Sequence, residues 1–214
     1  GYMKFPLIIV GINAGFSLTF MGNTHYAIED MGIIRCIPGM TIISPSDAGQ
    51  ALKAFYASWT LNKPVYIRFT GGLNCPVIYE QEFNYQIGKG IRLREGNQIQ
   101  IIATGSMVDR ALKAAKILEE KGISVDVVDM HTIKPLDTDI LKKDVKLVVS
   151  VEEHSIIGGL GSAIAEALST YSVHAPLLRL GIGDYFSQVG EYEYLLEQHG
   201  LSPEHIANTI ENNL

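Results

Sequence analysis

The sequence predicts an α/β protein made of two units with mostly parallel sheets. Strand and helix signals alternate along nearly the whole chain, the pattern that yields parallel sheets flanked by helices. The opening strand candidate, Leu7 to Ala14, is a near-continuous apolar run, as expected of a strand covered on both faces. From about Cys75 to Gly96 the alternation breaks, with turn residues and little helical periodicity, so this stretch reads as a linker and an entry strand.

The first unit follows from local signals. After Leu7 to Ala14 comes a Gly-containing loop, Gly15 to Asn23, then a short helix expected to begin near Thr24 and a strand at Thr41 to Ile43. Ser46 is a suitable N-cap, with Asp47 favourable in the first turn of the next helix. Ala48, Leu52, Phe55 and Trp59 recur at helical spacing and predict its buried face. Lys63-Pro64 ends the helix, Val65 to Phe69 forms the next strand, and Gly71-Gly72 closes it.

The second unit is more regular. A short strand is expected within Ile87 to Leu93, then strands at Ile99 to Ala103, Val125 to Asp129, Leu147 to Val151 and Leu177 to Leu180. Val108, Ala111, Leu112, Ala115 and Leu118 line one helix face, with Gly122 just past its end. Further helices are expected at Gly161 to Leu168, Glu193 to Gln198 and Pro203 to Asn212, the last with Ser202 as N-cap and proline at its first position.

Composition narrows the function classes. The 214 residues are 47% hydrophobic and 19% charged, a soluble globular balance, and no apolar run reaches the ~18 residues of a membrane span. Net charge is −6 with no long basic run, which argues against nucleic acid as a partner. Cys36 and Cys75 show neither metal-ligand spacing nor a disulfide framework and read as buried small hydrophobes. Scarce cysteine and the lack of a signal-peptide pattern point to the cytoplasm.

Three stretches carry a resemblance. They are Gly22-Asn23-Thr24-His25 with Glu29-Asp30, Arg35-Cys36-Ile37-Pro38 and Pro45-Ser46-Asp47; Thr132-Ile133-Lys134-Pro135-Leu136-Asp137; and Val151-Glu152-Glu153-His154 leading into Gly158-Gly159-Leu160-Gly161. In this order and spacing the chain resembles the transketolase family. The resemblance implies two three-layer α/β/α units, the first one incomplete: residues 1–75 as the second half of a thiamine-diphosphate pyrimidine-binding domain, 76–85 as a linker and 86–214 as the transketolase C-terminal domain. It also implies thiamine diphosphate and Mg2+ as cofactors, with their main binding residues outside this chain. The cofactor-activating glutamate of the family has no counterpart here, since no carboxylate precedes Glu29. A homodimer, or a heteromer with a chain bearing the N-terminal section, would then act on a small sugar by moving a two-carbon ketol unit. Deoxyxylulose-phosphate synthases, 2-oxoacid dehydrogenase beta subunits and a non-catalytic dimerisation or docking module are the rival readings.

By the same resemblance His25 is the candidate catalytic residue, because an imidazole titrating near neutrality can give and take the protons of an alkoxide. Thr24 reads as a local cap, and Glu29 and Asp30 as partners of the helix dipole. Asn13, Met21, Thr24 and Gly71 would line the substrate. Family members commonly carry an aspartate at the position of Met21, some carry a histidine at Asn13, and many carry a phosphate-gripping arginine at Gly71. These departures predict a substrate less phosphorylated or less hydroxylated than pentose phosphates, although Arg68 lies nearby. Glu152, Glu153 and His154 read as loop structure or subunit contact. The glycines after them lack a full dinucleotide fingerprint and read as close helix-to-strand packing. His131, His174, His199 and His205 read as structural.

Overall fold

A computed structural model describes residues 1–71 and 75–214. The strands are β1 (Ile8–Ala14), β2 (Thr41–Ile43), β3 (Val65–Thr70), β4 (Ile91–Arg94), β5 (Ile99–Ala103), β6 (Val125–Asp129), β7 (Thr132–Lys134), β8 (Leu147–Ser155) and β9 (Leu177–Ile182). The helices are α1 (Asp30–Arg35), α2 (Ala48–Thr60), α3 (Met107–Glu120), α4 (Leu160–Leu168), α5 (Tyr192–Gln198) and α6 (Pro203–Glu211). Two mixed, mostly parallel sheets result, with flanking helices, as the alternation of signals predicts. One has the order β1-β3-β2-β7, the other β4-β6-β5-β8-β9. Only β7 and β4 run antiparallel to their neighbours.

Elements with strong local signals fall where expected. β5 and β6 match the predicted strands, and Ala111, Ala115 and Leu118 of α3 are fully buried. Gly122 follows α3 with φ 79°, a left-handed conformation that glycine adopts without a Cβ clash. α6 is capped by Ser202, whose hydroxyl accepts the His205 N–H.

Several expectations change. β1 is an edge strand, with Ile9, Val10 and Ile12 exposed, not a strand covered on both faces. α2 buries Gln50, Ala54 and Ser58, whereas Leu52, Phe55 and Trp59 face outward, Trp59 at 75% exposure. Its N-cap is Asp47, whose carboxylate accepts the Gln50 N–H; Ser46 instead donates to Asp129. Thr19–Thr24 forms a 3-10 segment and the α-helix starts only at Asp30, so Thr24 caps nothing downstream. Cys36 and Cys75 are both exposed. β7 and a 3-10 turn at Asp139–Lys142 have no counterpart in the periodicity reading, and β8 runs on to Ser155. The expected turn at Gly71-Gly72 lies partly outside the described residues at Gly72.

The two halves share their cores. Phe16, Tyr26 and Ile28, from the loop after β1, are buried in the same cluster as Ile101, Val151 and Leu196. Met31, Ile42 and Tyr66 join Ile102, Val128 and Ile164 in a second cluster. Each fully buried large apolar side chain contributes about 1.5–3 kcal/mol, so these contacts bind the loop to the second sheet strongly.

Candidate functional site

The loop from Gly15 to Tyr26 leaves the C-terminal end of β1, the end of a parallel sheet where α/β proteins place their sites. Its ends are pinned by the Gly15 N–H donating to the Ala27 carbonyl at 2.8 Å. Gly15 has φ 68°, and a Cβ there would collide with the Glu153 carboxylate, so only glycine lets the chain pass. Ser17 Oγ lies within hydrogen-bond distance of the carbonyls of Ala14, 2.7 Å, and Gly71, 2.9 Å, bringing together the ends of β1 and β3.

His25 sits at the outer end of this loop with its side chain exposed. Its N–H donates to the Gly22 carbonyl at 2.9 Å, and its Nδ1 lies 2.9 Å from Thr24 Oγ1. With Nδ1 engaged, Nε2 is the ring nitrogen that makes no hydrogen bond among the described residues. Of the other candidates, Asn13 is exposed with φ 57° and Met21 is exposed. Gly71 has φ 86°, a conformation that favours glycine, and a Cβ there would meet Cys75 Sγ.

Arg68 is committed to other work. It is 1% exposed, pairs with Asp30 at 2.9 Å and donates to the carbonyls of Ala27 and Glu153 at 3.0 and 2.9 Å. Asp30 also accepts the Tyr66 hydroxyl at 2.7 Å, so its role goes beyond the dipole of a six-residue helix. This guanidinium is not free to grip a phosphate.

Glu152, Glu153 and His154 are all buried at the C-terminal end of β8 and act as a staple. Glu152 accepts the N–H groups of Leu160 and Gly161 at 2.6 and 2.8 Å, capping α4; burial nevertheless pushes its pKa up to about 7. Glu153 accepts the Phe16 N–H at 2.7 Å, the Tyr192 hydroxyl at 2.6 Å and the Ser106 hydroxyl. His154 Nδ1 lies 2.7 Å from the Ser155 carbonyl and therefore carries the proton, while Nε2 accepts the Gly32 N–H at 3.3 Å. Burial lowers its pKa to about 4, which keeps the ring neutral. The glycines that follow pack closely: Gly161 approaches Ser150 of β8, and Gly158 approaches the backbone of Gly32. Helix-to-strand packing explains Gly161, and contact with α1 explains Gly158.

Spacing in the sequence misses two features of the site. One is the acceptor role of Glu153 toward the loop; the other is the pairing of Asn23 with Ser187. Asn23 Nδ2 donates to the Ser187 carbonyl at 2.6 Å, and the Ser187 N–H donates to Asn23 Oδ1 at 3.0 Å.

Two α/β sheets, joined through a glycine loop that presents a histidine at the strand ends, define the class. Family models sharpen it: the model described as transketolase, pyrimidine binding domain, matches residues 1–75, and that of the transketolase C-terminal domain matches residues 88–206. The chain belongs to the transketolase family. It is 42% identical over 211 residues to a putative transketolase C-terminal section from Methanocaldococcus jannaschii, a match covering 98% of this chain and 66% of that protein. It is 41% identical to a 6-deoxy-6-sulfo-D-fructose transketolase subunit from Clostridium sp. (strain MSTE9), over 96% of this chain and 64% of that subunit. A solved split gene transketolase, an inactive beta4 tetramer, superimposes with TM-score 0.85 at 35% identity, over 99% of this chain and 67% of that one. The chain thus spans about two thirds of the length of these relatives.

Proposed function

We propose that this chain is the C-terminal part of a cytoplasmic transketolase-like enzyme that transfers a two-carbon ketol unit between sugars. In this reading it is inactive without an N-terminal portion or partner chain, which brings most of the thiamine diphosphate and Mg2+ site. Residues 1–75 complete a pyrimidine-binding domain, 76–85 link, and 86–214 form the C-terminal domain. The observation that carries the reading is His25, an exposed imidazole on a tightly anchored loop at the end of a parallel sheet. The names of the relatives, a C-terminal section and a split-gene transketolase, support the dependence on a second portion. So do the exposed apolar residues of the first half, among them Phe5, Ile12, Phe55 and Trp59, which suit coverage by more protein.

The residues present fit part of the cofactor. The exposed imidazole, with exposed Phe20 and Met21 nearby in the loop, suits the reacting ring. Among the described residues no group of three or more His, Cys, Asp or Glu side chains is placed to hold a metal, and in this reading the other portion holds Mg2+ and the diphosphate. When bound, thiamine diphosphate would supply the nucleophilic and electron-sink chemistry that ketol transfer needs. His25 Nε2 would be the group that gives a proton to the substrate oxygen and takes it back, with Thr24 Oγ1 holding the ring at Nδ1. Asn13, Met21, Thr24 and Gly71 line the substrate. Met21 is a poor hydrogen-bond acceptor and neither Gly71 nor Arg68 can grip a phosphate, which favours a donor or acceptor less phosphorylated or less hydroxylated than pentose phosphates.

The test is reconstitution with the N-terminal section chain, thiamine diphosphate and Mg2+, followed by a screen of ketose donors and aldose acceptors. Wild type should transfer ketol units without releasing carbon dioxide from pyruvate. His25→Ala should lower kcat by about 10²–10⁴-fold, the usual share of general acid–base catalysis. An unchanged rate in His25→Ala would remove the assigned role. Strong preference for xylulose 5-phosphate with ribose 5-phosphate would remove the substrate assignment.

A further inference from the structure

We propose that Asn23 is a positioning residue for His25, acting through its reciprocal pair with Ser187 so that the second unit sets the geometry of the site. The inference rests on the reading that His25 faces the cofactor. Asn23 stands two residues before His25, at the outer end of the loop. Among the described residues, the hydrogen bonds that tie residues 20–25 to anything beyond the loop are the two between Asn23 and Ser187, at 2.6 and 3.0 Å. Everything else at that end is local: the His25 N–H to the Gly22 carbonyl, and Thr24 Oγ1 to Met21 and to the ring itself.

The chemistry of the pair is selective. A carboxamide sets an N–H donor and a carbonyl acceptor side by side in one plane and so matches the N–H and carbonyl of one residue as a neighbouring strand would. Aspartate keeps only the acceptor. Alanine keeps neither.

The other side of the pair is firmly held. Ser187 is buried, and its hydroxyl lies 2.9 Å from His199 Nε2. The His199 ring stacks on Phe16 at 5.0 Å and on Tyr185 at 5.3 Å. Phe16 is fully buried, donates its N–H to Glu153 and meets the Tyr26 ring edge-on at 5.0 Å. Tyr26, the residue after His25, places its hydroxyl 2.7 Å from the Thr19 carbonyl and 3.3 Å from that of Gln188. The loop is therefore gripped at its base through Phe16 and Tyr26, and among the described residues the hydrogen bonds that hold its tip to the second unit are those of Asn23. Gly22 sits at φ 71° beside Val189, so the tip turns tightly against the same segment that carries Ser187. A tip whose hydrogen bonds to the second unit run through one side chain transmits slack there to the imidazole two residues away.

The experiment compares Asn23→Ala and Asn23→Asp with wild type in the full chain, first by NMR and then in the reconstituted enzyme. Asn23 is exposed, and unchanged far-UV circular dichroism verifies folding. In Asn23→Ala the Ser187 amide should exchange with solvent about tenfold faster, as loss of its bond partner requires, and the His25 ring resonances should shift and average. Asn23→Asp, which retains the acceptor, should fall between. In the reconstituted enzyme kcat should drop about tenfold with the ketose KM unchanged, a split that a merely structural change would not give. Unchanged Ser187 exchange overturns the proposal; so does faster exchange with His25 resonances unmoved, or moved resonances with kcat intact. If the wild-type complex shows no ketol transfer, the functional reading falls, while the exchange and ring data still decide whether Asn23 positions the histidine.

Discussion

Replacing Glu153 by alanine removes the acceptor for three donors in a dry site. The carboxylate is 1% exposed and takes the Phe16 N–H, the Tyr192 hydroxyl and the Ser106 hydroxyl. Each orphaned buried donor costs about 1–3 kcal/mol, although the two hydroxyls can turn to new partners, so the total should be about 3–5 kcal/mol. That is a large share of the ~5–15 kcal/mol that separates folded from unfolded domains. Glutamine keeps an acceptor for the Phe16 N–H, and both hydroxyls can rotate to accept from its amide, so Glu153→Gln should stay within about 1 kcal/mol of wild type. The pH dependence adds a second signature. Burial pushes the Glu153 pKa up, so the folded state holds this proton more tightly than the unfolded one. The stability it contributes is full below the ordinary carboxylate pKa and is lost as pH rises through the raised value, a slope the glutamine variant should lack. Urea denaturation of the chain at several pH values reads both effects, and exchange of the Phe16 amide reads the loop. An alanine variant within 1 kcal/mol of wild type, or a glutamine variant as damaged as alanine, would refute the staple.

Two further outcomes follow from the same physics. Asp129 is fully buried, with Oδ2 accepting from Ser46, Gln50 and Tyr79 and Oδ1 without a partner, and burial raises its pKa from 3.8 to about 6. The shift is worth about 3 kcal/mol, present below pH 4 and lost as pH rises through 6, so Asp129→Asn should flatten that part of a urea-stability profile by a similar amount. Phe55→Glu with Trp59→Glu alters exposed positions on α2 and should leave the stability of the chain within about 0.5 kcal/mol of wild type. It should weaken association with the N-terminal section chain in analytical ultracentrifugation, and an unchanged association constant would remove α2 from that interface.

What the sequence disclosed depended on how local the cause was. β5, β6, α3 and the Ser202-Pro203 start of α6 follow from periodicity and capping within a few residues, and the structure repeats them. β1 and the apolar stripe of α2 misled for a single reason. Apolar periodicity records coverage by everything that packs on an element, and this chain alone leaves Ile12 and Trp59 uncovered. His25 was visible because its motif is contiguous. The groups that hold its loop were not, since Glu153 reaches Phe16 across 137 residues and Asn23 reaches Ser187 across 164. A glutamate pair at a strand end carries no mark in sequence that distinguishes a buried staple from a solvated charge. Only Gly15, whose missing Cβ makes room for Glu153, leaves a trace, and one glycine in a loop is ambiguous.

The shared cores bear on why the second unit accompanies the loop at all. In the first sheet, β7 comes from the second half of the chain and pairs with β2, so that sheet is finished by a strand far along the sequence. Phe16, Tyr26 and Ile28 are buried among side chains of β5, β8 and α5 rather than under the first sheet. Arg68, at the end of β3, donates to the Glu153 carbonyl at the end of β8. The buried aromatics and Arg68 place the loop by reference to β8 and the helices around it, while β1 contributes its point of departure. A first half with an open edge and an uncovered helix face is a poor frame for holding a side chain in a fixed orientation. The second unit, with a fully buried nine-residue strand inside its sheet, is a good one. On this reasoning its contribution to the site is rigidity delivered to a neighbouring loop, through residues that touch no substrate.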